Sequence, residues 1–314
     1  MRFVLYGDIR TRNHKGKEFY VLRIVSMVSH ALTNEANKKL LQQEMNHLLP
    51  MESMIDCKQD LEGFELTSQQ FATGAKYTIS VALFISGQTE EAIELIRSIY
   101  SSLKIVRKQT EIPGTEKLIN LIPDRLTNFM LHAVRVQFWK WRTENSNHYL
   151  TAVEDLIVAV PKECEMLPEV LTFRATCAFL LRRDVEESQR LIRLTSIQLP
   201  KAPHNKYSLA FLAAYSGNLD VAYKNYRAAF SLDDSDELSI EIEEFIARIL
   251  EEEPDKYQLH FCLGLINLKK KQDFLQAERD FRCFIEKADK AVYEKQIEVT
   301  HKYLGRLNNL QDAA

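Results

Sequence analysis

Residues 207–229 read YSLAFLAAYSGNLDVAYKNYRAA, and this stretch decides the fold. Apolar residues recur at helical spacing on both sides of Gly217, which predicts two helices, over 204–216 and 219–232. So short a connection forces the pair to run antiparallel. Ala210, Ala222 and Ala229 are small where such helices touch, and two helices approach to about 8–9 Å only where side chains are small. Gly217 supplies the turn, because glycine accepts a positive φ at no steric cost.

Outward from this stretch the same spacing returns. Gly87 precedes Ala92 as Gly217 precedes Ala222. Ser188 lies 34 residues before Ala222. Further on come Leu263-Gly264, then Ala277 and Phe281, with one extra residue in the turn and Pro254 closing the preceding unit. A weaker unit centres on Ala152. The interval from Ala222 to Ala277 is 55 residues, so an extra helix over 236–252 interrupts the array.

Over roughly residues 70–290 the pattern resembles the tetratricopeptide repeat, a helix-turn-helix of about 34 residues. In that resemblance Leu209 and Ala210 match the contact pair of the first helix. Ala222 matches the small residue of the second helix, Tyr226 its aromatic and Ala229 its last small position, with Ile192 at the aromatic position after Ser188. The fold class implied is mainly α, an α-α superhelix of tetratricopeptide-like repeats with a small N-terminal α+β cap. A generic α-α superhelix of another class fits the same pattern. Both readings stack hairpins into an array with an inner face.

The resemblance also implies which residues line that face. Three positions, four apart on each first helix, point inward, and they give a binding groove of Tyr77, Val81, Phe173, Tyr207, Phe211, Tyr215, Phe261 and Leu265. Such a groove suits an amphipathic helix or an apolar peptide, with the aromatics as anchors. The competing reading is that the stripe is core, covered by the inserted helix or the cap. Tetratricopeptide domains that clamp a C-terminal carboxylate use Lys, Asn and Arg here, so apolar residues speak against that role.

Residues 1–65 differ from the rest. Phe3–Tyr6 and Phe19–Val25 are β-branched and aromatic around the polar 13–17 stretch, a hairpin signal. A helix is expected from Thr33 or Asn34 to Leu49, ended by Pro50, and a short strand over 52–57. From Leu66 onward the helical period takes over, so the expected domains are a small α+β domain over 1–65 and a helical repeat domain over 66–314. Among the helices expected are separate ones over 115–121 and 124–143, a single one over 257–271 and another over 290–310. With only 9 Gly and 8 Pro in 314 residues, long helices with short connections fit better than a turn-rich sandwich or barrel.

Composition narrows the function. With 41 basic and 44 acidic residues the net charge is −3, which offers no overall field for nucleic acid. Five widely spaced cysteines without a CxxC (Cys57, Cys164, Cys177, Cys262 and Cys283) fit reduced thiols, and a cytoplasmic location is expected. The N-terminus carries no signal-peptide h-region, and no apolar run reaches membrane-spanning length. The motifs GxxxxGK[ST], HExxH, GxSxG and GxGxxG are absent. The histidines fall in no metal-ligand register, and a pairing of Cys57 with His47 or His30 has nothing to orient it.

Two clusters remain. The acid-rich run from Asp233 to Asp255 reads as a surface for a basic partner or, more simply, as a solvated helix face. Its Glu251, Glu252 and Glu253 sit at a helix C-terminus, where the macrodipole disfavours them. Phe138, Trp139, Trp141 and Tyr149 with Arg135, Lys140 and Arg142 read as a cation–π surface or as packing between repeats. The expected function is a scaffold or adaptor binding a protein or peptide, non-enzymatic, without cofactor or metal, possible as an oligomer. The alternatives are a ligand- or peptide-sensing regulatory subunit, and the recognition part of an enzyme with its effector elsewhere.

Overall fold

The computed structural model describes residues 2–14, 16–29, 51–56, 61–109, 116–234 and 237–311. The described chain is mainly α, of the α-α superhelix class, with helices packed in sequence-adjacent pairs and a small sheet at the N-terminus. It forms two compact units, Met1–Glu165 and Met166–Ala314.

In the first unit β1 (Arg2–His14) and β2 (Lys17–Ser29) make an antiparallel hairpin whose pairing runs from Arg2–Ser29 to His14–Lys17. Gly16, at φ 76°, takes the left-handed conformation that so tight a turn requires. The strands outrun their apolar signals because pairing continues through the polar 8–14 stretch. β3 (Met51–Asp56) joins β2 antiparallel, giving the order β1-β2-β3. The helix expected over 34–49 lies outside the described residues, as do Cys57, His30 and His47.

Among the described residues of this unit the helices are α1 (Leu61–Ile85), α2 (Thr89–Gln109), α3 (Glu116–Glu144) and α4 (Asn147–Val158), followed by a 3-10 turn at Lys162–Cys164. α1 starts ahead of Leu66, so the change of composition at 65/66 falls inside a helix. Gly87, at φ 84°, turns α1 into α2, and Ala92 is fully buried on α2. The two helices expected over 115–121 and 124–143 are one. Pro123 lies inside α3, and its carbonyl accepts a hydrogen bond from Thr127 Oγ1 at 2.8 Å. An interior proline costs about 3 kcal/mol. The burial of Ile122, Leu126, Phe129 and Met130 around it outweighs that cost.

The second unit holds α5 (Pro168–Arg182), α6 (Val185–Gln198), α7 (Pro203–Tyr215), α8 (Leu219–Leu232), α9 (Glu237–Glu252), α10 (Leu259–Ile266), α11 (Phe274–Lys287) and α12 (Lys290–Gln311). Three hairpins, α5–α6, α7–α8 and α10–α11, share one local design. The second residue ahead of each second helix is left-handed: Arg183 at φ 54°, Gly217 at 81° and Gln272 at 56°. The next amide reaches back to the first helix, from Asp184 to Ala178 O, Asn218 to Ala213 O and Asp273 to Asn267 O, at 2.8–3.1 Å. That same residue caps the second helix. Asp184, Asn218 and Asp273 accept from the amides of Glu187, Val221 and Gln276 at 3.0–3.2 Å, each cap contributing about 1 kcal/mol.

Four residues after each cap stand Ser188, Ala222 and Ala277, all buried. Ser188 Oγ donates to Ala175 O of α5 at 2.9 Å. Between α10 and α11 the approach is closest at Gly264, where a Cβ would fall 2.5 Å from Phe281 Cδ1. The extra residue of this hairpin leaves its mark: the single helix expected over 257–271 changes at Asn267–Lys271 into a π turn, which absorbs the insertion. The buried Asp280 carboxylate ties that turn to α11, accepting from Asn267 Nδ2 at 3.0 Å and Gln276 Nε2 at 3.3 Å, with His260 Nδ1 at 3.4 Å. α12 is kinked at Tyr293 and meets α8 through Gln296–Asp220 at 2.9 Å and Tyr223–Tyr303 at 2.9 Å.

Candidate functional site

The groove residues expected from the sequence lie in both units: Tyr77 and Val81 in the first, Phe173, Tyr207, Phe211, Tyr215, Phe261 and Leu265 in the second. All are buried except Phe173, which is half-buried. Tyr207, Phe211, Tyr215, Phe261 and Leu265 belong to one continuous core. Their side chains are therefore engaged within the fold. Tyr207 donates its hydroxyl to Asp233 at 2.8 Å, and Lys270 Nζ donates to the Asp233 carbonyl at 2.8 Å.

What covers part of this stripe is α9, the helix that interrupts the repeat. Its apolar residues Leu238, Ile242, Phe245, Ile246 and Ile249 recur at helical spacing, and Ile246 and Ile249 are fully buried. Phe245 meets Phe211 edge-on at 4.9 Å between centroids and lies 6.2 Å from Phe179. Phe179 in turn meets Phe211 at 5.1 Å and Tyr215 at 4.9 Å, both near-perpendicular, the arrangement that the ring quadrupoles favour. The aromatic face is thus Phe179, Phe211 and Tyr215. On α5 the register differs from the expected Phe173: Phe179 is the residue that joins the cluster.

The acidic end of α9 is held by three groups. Arg183 Nε donates to Glu253 at 2.6 Å and Arg183 Nη2 to Glu252 at 2.6 Å, while its guanidinium stacks 5.1 Å from the Phe179 centroid. Tyr215 donates its hydroxyl to Glu253 Oε2 at 2.7 Å. Lys256 Nζ lies 4.6 Å over the Tyr215 ring. Burial, and then the bond to Glu253, push the Tyr215 hydroxyl up to about 12, so it remains a donor at neutral pH. Partial burial pushes the Glu253 carboxyl up, but Tyr215 and Arg183 more than reverse this and hold it below its ordinary range. These partners account for carboxylates that the helix dipole alone disfavours. Near its middle α9 is tied by Lys271 Nζ, which donates to Glu243 at 2.6 Å.

The other sequence candidates separate. Trp141 is buried with Phe138 stacked on it at 5.2 Å, and Lys140 lies 5.8 Å over Tyr149. Trp141 and Phe138 are packing, and Lys140 with Tyr149 forms a cation–π contact. Trp139, 64% exposed, is not packing. Cys164, Cys177 and Cys262 are buried free thiols, and Cys283 is half-buried. Among the described residues no group of three His, Cys, Asp or Glu side chains is placed to hold a metal ion. No helix among them is long and apolar enough to cross a membrane.

Sequence reasoning missed Phe179, Arg183 and Phe245. The last had a signal, the helical period of 238–249. Phe179 had none, because α5 is apolar nearly all round, and Arg183 lies past the end of that helix, in the turn. No protein-family model matches the chain, and no curated protein matches it.

Proposed function

We propose that the chain is a protein-interaction scaffold or adaptor of the tetratricopeptide-like kind, whose aromatic face in the second unit takes an amphipathic helix. One observation carries this reading: the face formed by Phe179, Phe211 and Tyr215 already holds such a helix, α9, by an aromatic anchor and a carboxylate. Helix-in-groove recognition uses the same elements, anchors about a turn apart on one helix face and a polar contact that fixes register. The repeated turn and cap of the three hairpins support the repeat-array part of the reading. In this reading the partner is a protein or peptide, the role is binding rather than catalysis, and the place of action is the cytoplasm.

Co-purification of the tagged full chain, with crosslinking and mass spectrometry, tests it. The expected result is a specific protein crosslinked to α5, α7 or α9. Recovery of partners whose crosslinks map only to other surfaces contradicts the reading.

A further inference from the structure

Helix α9 stands outside the hairpin plan. The helices before it, α7 and α8, close on their own turn, and so do α10 and α11 after it. Among the described residues α9 has no partner joined to it by such a turn. Its C-terminal end and its middle are fastened by side chains: Glu252 and Glu253 to Arg183 and Tyr215, and Glu243 to Lys271. Phe245 faces Phe179 and Phe211, the buried Ile249 follows four residues on, and Glu253, on Arg183 and Tyr215, four further. That spacing puts an aromatic, an aliphatic and a carboxylate on one side of a helix.

Arg183 holds φ 54°, as Asn145 and Gln272 do at 53° and 56°, where the other two helix turns have Gly87 and Gly217. A β-carbon is disfavoured there, whereas glycine adopts the conformation freely. Among these turn residues Arg183 reaches the end of α9, binding the carboxylates of Glu252 and Glu253 and stacking on Phe179.

From these observations we infer that α9 is an exchangeable occupant of the Phe179–Phe211–Tyr215 face, latched by Arg183. The external partner it stands in for is an acidic amphipathic helix with an aromatic residue, an aliphatic four positions later and a glutamate four beyond that. The inference rests on the scaffold reading and adds the partner's chemistry and the switch. Opening the latch frees Arg183, Tyr215 and the aromatic face together. A competing helix needs all three to bind, so one lacking the glutamate gains little from the open state.

The test uses the full chain carrying Glu252→Gln and Glu253→Gln. These changes weaken the grip of α9 and leave every receiving residue intact. The probe is a fluorescein-labelled synthetic peptide with the wild-type sequence of residues 237–253, followed by anisotropy. Hydrogen exchange of α9 and α7 is measured in parallel. In the variant, α9 amides are expected to exchange at least tenfold faster than in the wild type, with α7 unchanged. The peptide is expected to bind the variant at least tenfold more tightly than it binds the wild-type chain. Adding Arg183→Gly, which suits the left-handed turn, is expected to abolish that gain. If α9 exchanges no faster in the variant, α9 is fixed core and the latch is overturned, while the scaffold reading stands on its own test. If α9 opens and the peptide still does not bind, the face does not accept a helix from outside, and the scaffold reading falls with the inference.

Discussion

In the hairpin α7–α8 the first helix runs directly into a glycine turn at Gly217, and small residues occupy the crossing. In α10–α11 one residue more lies between the contact pair and the cap, and the first helix sheds it through the π turn at Asn267–Lys271 before Gln272 takes the same left-handed φ. Past that point the two agree: a capping Asn or Asp, then a buried alanine four residues on. The comparison separates what the crossing demands from what it tolerates. A left-handed residue, a cap and a small side chain are kept, and the path leading into the turn is free to vary.

The largest expected effect breaks the second hairpin at its tightest point. Gly264→Ala places a methyl 2.5 Å from the buried ring of Phe281, and overpacking of this kind costs about 3 kcal/mol. Urea unfolding measures it, and combining it with Phe281→Leu should cost less than the two single changes summed. Gly217→Ala, the matching change in the first hairpin, should cost about 1–2 kcal/mol from the positive φ. The Tyr293 hydroxyl, 3.0 Å from the new methyl, must also give way there. If Gly217→Ala proves the more damaging of the two, the ranking of crossing over turn is wrong.

Smaller effects sharpen the shared part. Asn218→Ala and Asp273→Ala should each cost about 1 kcal/mol, nearly equal in the two hairpins because the cap geometry is the same. Unequal losses would show that the π turn strains its cap. Gln272→Gly should shift stability by less than about 0.5 kcal/mol, since release of the left-handed strain offsets the added freedom of the unfolded chain.

Acid distinguishes the hairpin α7–α8 from α9. The Glu253 carboxyl is held below its ordinary range in the folded state. Its contacts therefore contribute stability above the unfolded pKa and lose it as pH falls through the folded one. Hydrogen exchange of α9 should accelerate relative to α7 and α8 as pH drops from neutral to below the usual carboxylate range. The comparison is made after correction for the intrinsic pH dependence of exchange.

Much of this was legible in the residues. The spacing of Ser188, Ala222 and Ala277 located the hairpins, and the 55-residue gap located α9 as an insertion. The cap signature, Asp184, Asn218 and Asp273 each four residues ahead of a small side chain, was equally present in the sequence and went unread. Pro123 misled, because proline reports the backbone cost at one position and not the core burial that outweighs it. The α5 face was not legible at all. Val170, Leu171, Phe173, Ala175, Cys177, Ala178 and Phe179 surround the helix, so no period selects Phe179 over Phe173.

By itself the sequence determined that this is a chain of paired helices with a strand-rich N-terminus, and where the pairs cross. Those features are local: period, small residues and turn chemistry act within a few dozen residues. Only the tertiary structure decided that Tyr207, Phe211, Tyr215, Phe261 and Leu265 share one core, and that Phe245 of α9 and Glu253 just past its end rest on part of it. Which element covers a given face depends on contacts between residues far apart in the chain, and helical spacing carries no record of its neighbour.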